Sequence, residues 1–456
     1  MLRLILPFLV ACTPVTAKVL PVGDRPTEPV LEDQISDDAS GDSTDGEDTP
    51  GGTEESPDEQ PPPEDPDDDD GVDESSPPAE EEPSNSDDDS PAEWTVMVYL
   101  AADNNLEAAG LTDLNEMEQA GSTDEINILV ELDRAEGYST ADGDWTGARR
   151  YRVEADDDWD TINSPVAVDL GEVDSGSPDT FIDFIRWGVE NYPAEKYAFI
   201  IWNHGWSWTM TSGAVRKGIA SDDQSGSDLT VAGGEYEAIL EAAKDIMGEK
   251  FALLGMDACL MASWEVARVS APYADYYVAS QATESFDGWA FHTAFTDLVD
   301  DPEMDAAELG TVIAQRFHET EDSTLSVTDL NALSAMDGAI DLFAQAVMDV
   351  DNPRSAVRRQ ARRSQNFDGD PNDRDMGDFF IRMVDAADDP DILSAADGML
   401  DELNDTVVAN FTWGEWVSDA TGLSIYLPTN GPDDLYMDAS WASLTNWDEM
   451  LVAIDD

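Results

Sequence analysis

Short apolar runs alternate with stretches of helical spacing from residue 93 onward. Each run is rich in β-branched and aromatic residues and ends in turn-forming residues, which is typical of a buried strand. Strands are predicted in this way at residues 94–105, 126–133, 197–202, 251–256 and 275–280. Residues 179–192, 230–248 and 257–270 have helical periodicity, and Asp179 is a candidate N-cap. This alternation predicts an α/β fold with a mostly parallel sheet flanked by helices.

Residues 301–456 have a more mixed pattern. Helical segments there surround two predicted strands, "TLSVTDL" at residues 324–330 and "GLSIYLP" at residues 422–428. We therefore divide the folded part into a core at residues 93–300 and a C-terminal α+β extension at residues 301–456 that packs on the core. The extension is assigned no chemistry.

Residues 21–92 have almost no aliphatic positions. They contain 28 Asp and Glu residues against one Arg, in runs such as "PPPEDPDDDD". Such a segment buries too little apolar surface to offset its chain entropy, so we predict a disordered acidic linker. Charge repulsion and proline favour an extended chain with a reach of roughly 50 Å or more. Calcium binding by the Asp run is the alternative interpretation.

Residues 1–20 have the pattern of an export signal. In "MLRLILPFLVAC", Arg3 precedes an apolar run that is too short to span a bilayer. Its end resembles a bacterial lipoprotein signal, in which Cys12 becomes the lipidated first residue of the mature protein. The alternative is a secretory signal cleaved after Ala17. We expect an exported protein anchored by lipid to the outer membrane or cell surface, or else a secreted one.

The overall charge excludes some classes of partner. The 456 residues carry a formal charge of −80. Residues 93–456 alone hold 74 acidic residues against 19 Lys and Arg, which leaves them near −55. Such a surface repels nucleic acid and anionic lipid and attracts cationic partners such as basic peptides. We expect no nucleic-acid partner, membrane contact only through the lipid anchor, and a monomer.

Two polar residues at predicted strand ends are candidates for catalysis. His204 follows the strand at 197–202, and Cys259 follows the strand at 251–256. If these strands are neighbours, a right-handed crossover places both side chains at the same edge of the sheet. An imidazole there can accept the thiol proton and later protonate a leaving amine. The backbone N–H groups of Gly205 and Cys259 are candidates for an oxyanion hole. The alternative is a buried apolar cysteine and a histidine that is only hydrogen-bonded.

Several motifs together resemble the clostripain family of cysteine peptidases, which have a caspase-like fold. They are "WTVMVYLAADNNLE", "YAFIIWNHGWSW", "SDDQSGSDLT", "MDACLMASWEVA", "ATESFDGW" and "GLSIYLP", in this order. The resemblance implies a His204–Cys259 dyad that cleaves peptide bonds after Arg or Lys. It also implies that Asp257 pairs with the basic side chain of the substrate, with Asp287 as a second acid of that pocket. The alternatives are a helix N-cap for Asp257 and an ordinary turn residue for Asp287.

The resemblance also suggests self-cleavage and an optional ion. Arg216 and Lys217 lie between the histidine and the cysteine, where some family members cut themselves. We predict no required cofactor and no metal-ligand residue. Calcium is kept as an optional ligand, with residues 368–380 as one candidate loop. The sequence thus predicts an exported cysteine endopeptidase, and the alternative is a catalytically silent surface binding or adhesion protein on the same scaffold.

Overall fold

A nine-stranded sheet forms the centre of the protein. The structure is a computed structural model that describes residues 91–209, 218–367 and 372–455. The strand order is β12-β10-β9-β8-β5-β1-β2-β3-β4. The strands are β1 (Ala92–Ala102), β2 (Ile126–Arg134), β3 (Gly147–Arg152), β4 (Val166–Gly171), β5 (Ala194–Trp202), β6 (Ala220–Ser221), β7 (Asp228–Leu229), β8 (Phe251–Asp257), β9 (Ala274–Ala279), β10 (Thr324–Asp329), β11 (Asp373–Asp375), β12 (Val407–Thr412) and β13 (Ser424–Tyr426).

The five central strands are parallel, and the strands outside them are antiparallel. β9, β8, β5, β1 and β2 pair in parallel, whereas β3 and β4 on one side and β10 and β12 on the other are antiparallel. The pairs β6–β7 and β11–β13 lie outside this sheet. The predicted α/β fold with a mostly parallel sheet is therefore confirmed.

Helices cover both faces of the sheet. They are α1 (Glu107–Glu118), α2 (Pro178–Asn191), α3 (Glu235–Met247), α4 (Trp264–Ser270), α5 (Phe291–Asp300), α6 (Ala306–Thr320), α7 (Leu333–Met348), α8 (Pro353–Ala361), α9 (Met376–Ala386), α10 (Pro390–Thr406), α11 (Asp434–Asp438) and α12 (Trp447–Asp455). Met97, Tyr99 and Ala101 of β1 face the core shared with α2 and α3. The alternate residues Val98 and Leu100 face the core shared with α1, α5 and α6. None of the described helices is long and apolar enough to cross a membrane.

The five predicted core strands are confirmed, and two helix boundaries are wrong. Ser177, not Asp179, is the N-cap residue of α2, and Asp179 lies in its first turn. The predicted helix at 257–270 begins only at Trp264, where the Ser263 side chain accepts a hydrogen bond from the backbone N–H of Val266. Residues 258–263 instead form an irregular turn after β8. Asp257 is therefore the last residue of a strand, and the N-cap interpretation for it is wrong.

Strands from residues 301–456 extend the central sheet. β10 pairs with β9, and β12 pairs with β10 at the edge. The short strand β13 contacts the turn after β8, because Ser424 N–H donates to the carbonyl of Ala262 at 2.9 Å. The C-terminal part of the chain therefore helps to hold the turn that contains Cys259.

Candidate active site

His204 and Cys259 lie side by side at the carboxyl edge of the sheet. β5 and β8 are parallel neighbours, and Trp202 at the end of β5 is in register with Asp257 at the end of β8. His204 and Cys259 each follow this paired position by two residues. The Asn203 N–H donates to the carbonyl of Asp257 at 3.3 Å and continues the pairing beyond the strands. The two side chains that sequence reasoning selected are thus brought to one edge of the sheet.

Gly205 packs directly against the backbone at the cysteine. A Cβ atom on Gly205 would lie 2.4 Å from the carbonyl oxygen of Cys259 and 2.9 Å from the Cβ of Ala258. Any larger residue at this position would push the two motifs apart. The close approach brings the backbone of Gly205 beside that of Cys259.

Cys259 occupies a tightly constrained turn. The next residue, Leu260, has a φ of 64°, in the left-handed region that a branched side chain rarely adopts. Its N–H donates to the carbonyl of Ala282 at 2.9 Å, which fixes the turn. The backbone N–H of Glu284 donates to the Cys259 sulfur at 3.4 Å.

Two asparagines contact His204, and a third lies beside them after the end of β1. The Oδ1 of Asn105 lies 3.0 Å from Nε2 of the His204 ring. Asn203 donates to the carbonyl of Ala101, while its Oδ1 accepts from the His204 N–H. Asn104 donates to the carbonyls of Ala101 and Ser221, each at 2.9 Å. Sequence reasoning did not select Asn105, although its place after the strand beside β5 was an available signal.

Three acids with buried carboxylates, Asp113, Asp257 and Glu284, lie near the end of β8. We call them the specificity carboxylates, after the role that we propose below. Burial raises the pKa of Asp257 to about 7, and the Trp289 N–H, which donates to its Oδ2 at 3.1 Å, opposes the rise. Burial, together with the charge of Asp257, raises the pKa of Glu284 well above its usual range. Asp113, on α1, has a pKa raised well above its usual value by burial and then by the charge of Asp257.

Asp287 lies at the exposed rim of this group. Residues 285–287 are exposed, and the N–H of Asp287 donates to the Ser285 hydroxyl at 3.2 Å. The charge of Asp287 contributes to the raised pKa of Asp113, so the two side chains face the same region. Sequence reasoning selected Asp257 and Asp287 for one pocket but missed Asp113, which lies in no recognisable motif, and Glu284, which lies in "ATESFDGW" three residues before Asp287.

A second acidic group lies where β1 and β2 end. We call Asp103, Asp133, Glu172 and Asp222 the strand-end carboxylates. One oxygen from each of Asp103, Glu172 and Asp222 lies within 4.8 Å of the others. Burial raises the pKa of Asp133 to about 9, and the charges of Asp103, Asp222 and Glu172 add to the rise. Within the described ranges, neither oxygen of Asp133 has a hydrogen-bond partner.

Backbone N–H groups of residues 175, 224 and 225 hold two of these acids. Asp222 accepts from the N–H of Ser225 at 2.6 Å and from that of Ser175 at 2.9 Å. Asp103 accepts from the N–H of Gln224 at 3.1 Å. The strand-end carboxylates therefore tie residues 222–225 to β1, whose following turn contacts His204.

Two carboxylates of the proposed calcium loop, residues 368–380, accept hydrogen bonds from other parts of the protein. Asp375 caps α9 by accepting from the N–H of Asp378 at 2.7 Å, and it also accepts from Gln281 at 2.9 Å. Asp378 accepts from the N–H of Gln365 at 2.7 Å. These carboxylates join the C-terminal part to the core. Residues 368–371 of this loop, Cys12, Arg216, Lys217 and the acidic linker lie outside the described residues.

A cluster of buried apolar residues also packs against Cys259. Leu260, Ala282, Phe367, Val417 and Ala420 form a buried cluster, and Trp206 and Cys259 pack against it. Phe367, Val417 and Ala420 come from the C-terminal part of the chain. That part therefore contributes to the surroundings of Cys259 itself, which the sequence did not indicate.

Comparison with known sequences gives one family. The model described as the clostripain family matches residues 98–456. Clostripain from Hathewaya histolytica is 32% identical over 187 residues, which cover 38% of this chain and 35% of that relative. The match thus spans much less than two thirds of the curated relative.

Solved structures of C11 cysteine proteases share the fold. A secreted C11 cysteine protease from Bacteroides thetaiotaomicron, solved with an irreversible peptide inhibitor, has a TM-score of 0.59 at 18% identity and covers 79% of this chain and 99% of its own. An inactive zymogen C11 protease from Parabacteroides distasonis has a TM-score of 0.56 at 20% identity and covers 78% of this chain and 99% of its own. At these identities the likeness concerns architecture alone.

Proposed function

The chain belongs to the clostripain family of cysteine peptidases, and on that premise we propose that it is a cysteine endopeptidase that cleaves peptide bonds after Arg or Lys. Cys259 is the nucleophile, and His204 is the general base and then the general acid. The observation that carries the proposal is the register of β5 and β8, which sets His204 and Cys259 two residues beyond one paired position. Asn105, at 3.0 Å from the imidazole, orients the ring.

The chemistry follows from these positions. His204 takes the thiol proton, and the sulfur attacks the carbonyl carbon of the substrate. The N–H groups of Gly205 and Cys259 stabilise the oxyanion. The C–N bond breaks as His204 gives its proton to the leaving amine, which leaves a thioester on Cys259. Water then attacks the thioester with His204 as the base, and the acid product departs as the thiol is restored.

Asp257 and Asp287 give the preference for basic residues. A buried carboxylate binds a guanidinium through two hydrogen bonds and an ammonium as a point charge. Asp257 is 4% exposed and lies two residues before the nucleophile, which suits the side chain of the residue before the cut. Asp287 at the rim attracts the same charge from outside.

The test compares the full chain with its Cys259→Ala variant. Both receive peptide reporters that end in Arg, Lys, Ala or Asp. We expect the wild-type protein alone to cleave the Arg and Lys reporters. Equal cleavage by the variant would remove Cys259 from the mechanism, and equal cleavage of all four reporters would remove the specificity assignment. Silence of intact, folded wild-type protein toward every reporter would favour the binding-protein alternative.

We also propose self-processing after Arg216 or Lys217. These residues are a basic pair in an acid-rich chain, between the two motifs. Mass spectrometry of purified protein should find a cut after one of them in the wild type and none in Cys259→Ala. Active protein that remains one chain would show that processing is not required.

Export and anchoring through Cys12 remain part of the proposal. The signal-like residues 1–12 support it. Mass spectrometry of the mature N-terminus should find an S-diacylglyceryl group on Cys12, with or without an N-acyl chain, and an unmodified start at Lys18 would instead indicate secretion. We further propose a monomer, which light scattering of the purified protein tests.

We propose the strand-end carboxylates as the optional calcium site. Calcium takes about six to eight oxygen ligands, and carboxylates are its usual protein ligands. Asp103, Glu172 and Asp222 each offer one carboxylate oxygen within 4.8 Å of the others, which fits this donor type, and Asp133 lies beside their charges. A bound cation would neutralise the group and hold residues 222–225 against β1. It would act on structure near His204 and take no part in bond making. The binding is measured by calorimetry on the full chain, with Asp133→Asn as the variant that loses it.

A further inference from the structure

Asp113 and Asp257 both lie against Gly288. A Cβ atom on Gly288 would be 3.3 Å from Oδ2 of Asp113 and 3.2 Å from Oδ2 of Asp257, closer than ordinary van der Waals contact. Gly288 has a φ of 60°, so a side chain there is disfavoured by the backbone as well as by the carboxylates. Two acids from different elements, a helix and a strand, therefore approach the same glycine, with no side chain between them there.

Asp113 is buried without the partners that a carboxylate needs. It is 1% exposed, and within the described part of the chain neither oxygen has a hydrogen-bond partner of ordinary geometry. Burying an uncompensated carboxylate costs several kcal/mol, and a protein retains such a group as the neutral acid or with a cation beside it. The Trp202 side chain faces Asp113 as a donor, but it carries no charge. A substrate cation would supply a positive charge there.

We propose that Asp113 is a further specificity-determining acid of the substrate pocket, and that it contacts the far side of the basic side chain whose near side pairs with Asp257. The inference rests on the proposed function and identifies a residue outside the family motifs. The substrate side chain would enter past residues 285–287, which are exposed and directly precede Gly288. Phe286 among them is 53% exposed.

Two carboxylates on opposite sides of a bound side chain suit a guanidinium better than an ammonium. The guanidinium is planar and has five N–H donors arranged as a fork, so it donates to acids on two sides at once. The ammonium of lysine is a compact charge with three donors and is more strongly hydrated. Asp113 therefore favours Arg over Lys, a choice that Asp257 alone leaves open.

The charged surroundings couple binding to proton release. Asp113 faces the charges of Asp257, Glu116 and Asp287, which raise its pKa, and the Trp202 side chain, which opposes the rise. Asp257 in turn faces Glu284 and Glu116. A basic side chain must displace protons held by this group. Affinity for it should therefore increase as the pH rises.

The first experiment uses Asp113→Asn in the full chain, with Asp124→Asn, an exposed acid far from any motif, as the matched control. Turnover of Arg, Lys and Ala reporters is measured from pH 5.5 to 8.5. Loss of a charge-assisted contact should lower kcat/KM for Arg about tenfold. We expect a smaller loss for Lys, no change for Ala, and an Arg profile whose midpoint moves to lower pH because the repulsion on Asp257 is gone.

A structural role for Asp113 would give a different result. It would lower turnover of all three reporters together and lower the unfolding temperature, whereas we expect Asp113→Asn to unfold at or above the wild-type temperature. An unchanged Arg to Lys ratio with an unmoved pH profile overturns the inference while the proposed function stands.

A binding measurement separates the two proposals. Nα-acetylarginine amide and Nα-acetyllysine amide are titrated into the Cys259→Ala full chain, where no turnover occurs. We expect tighter binding of the arginine compound, release of protons near pH 7, and loss of the difference on adding Asp113→Asn. Binding with this pattern in a protein that cleaves nothing would retain the pocket and reject the peptidase. Binding without proton release would overturn the inference even if the Asn variant does not fold.

Discussion

Two groups of buried acids flank the candidate dyad, and they differ in the hydrogen-bond donors that the chain supplies to them. The specificity carboxylates lie beside Cys259 under the exposed segment 285–287. The strand-end carboxylates lie at the ends of β1 and β2, near the turn that contacts His204. Within the described residues, the first group contains two acids with two orphaned oxygens each, Asp113 and Glu284, and the second contains one, Asp133.

The difference lies in the donors that the chain supplies. Asp103 and Asp222 accept N–H donors from residues 222–225 and from Ser175, so the chain itself closes that group. At the specificity carboxylates, Asp113 and Asp257 both lie against Gly288, and within the described residues no backbone donor of that kind reaches Asp113. We propose a small ion for one group and a substrate side chain for the other. What distinguishes the groups is whether the chain itself supplies backbone donors to the acids.

The largest expected effect comes from removing Asp257. We predict that Asp257→Asn lowers kcat/KM for Arg and Lys reporters about a hundredfold or more, because truncating one partner of a buried charge pair costs about 2–5 kcal/mol. The ratio of Arg to Ala turnover is the measurement. Asp222→Asn is the paired variant from the other group, and it should leave that ratio unchanged. A collapse of the ratio in both variants would erase the distinction between the groups.

The parallel core strands of the sheet were predictable from the sequence, whereas the antiparallel strand β3 was not. β1, β5 and β8 are buried on both faces, so their sequences are continuous apolar runs. β3 is an antiparallel strand whose sequence "GARRYR" has no such run, since Arg150 pairs with Glu131 at 2.6 Å and with Asp183 at 2.9 Å. Its stability depends on partners from β2 and α2 that a local pattern cannot reveal.

The site was likewise only partly predictable from local sequence patterns. His204 and Cys259 follow recognisable strands, so their place at one edge was predictable. Asp113 lies within a polar helix, and only the packing of α1 near the end of β8 brings it to Asp257. The turn from 258 to 263 was predicted as helix because its composition is apolar and β13, which holds it, lies far along the chain.

The second prediction concerns cation binding at the strand-end carboxylates. Calcium at a hundred times its dissociation constant should stabilise the folded chain by about 2.7 kcal/mol. Asp133 has a folded pKa of about 9, above its unfolded value, so the folded state holds a proton that the unfolded state loses. Without calcium, stability from this group is present at low pH and falls as the pH rises toward 9. Calcium competes with that proton.

Thermal unfolding with and without calcium, at pH 5 and pH 8, measures this effect. The calcium-induced increase should be larger at pH 8 and absent in Asp133→Asn, while Asp113→Asn should retain it. An increase that survives in Asp133→Asn would place the ion elsewhere.

The third prediction concerns pH and the specificity carboxylates. Asp257 has a pKa of about 7, and its protonated form cannot pair with a substrate cation. The ratio of Arg to Ala turnover should therefore fall below pH 7, by up to about tenfold per pH unit for a single essential proton. The Ala reporter corrects for titration of the dyad. A flat ratio from pH 5.5 to 8 would mean that Asp257 is charged throughout and that burial does not hold its proton.

The smallest expected effect comes from Asn105, which links the strand-end side of the site to His204. Its Oδ1 lies 3.0 Å from the ring nitrogen, so Asn105→Ala removes one orienting hydrogen bond. Such a bond contributes about 0.5–1.5 kcal/mol, which corresponds to a roughly twofold to tenfold loss of kcat. The loss should be equal for Arg, Lys and Ala reporters, because Asn105 touches the base and not the pocket. A selective loss for Arg would mean that the residues around His204 also contribute to substrate specificity. Rate and specificity would then not depend on separate sides of the dyad.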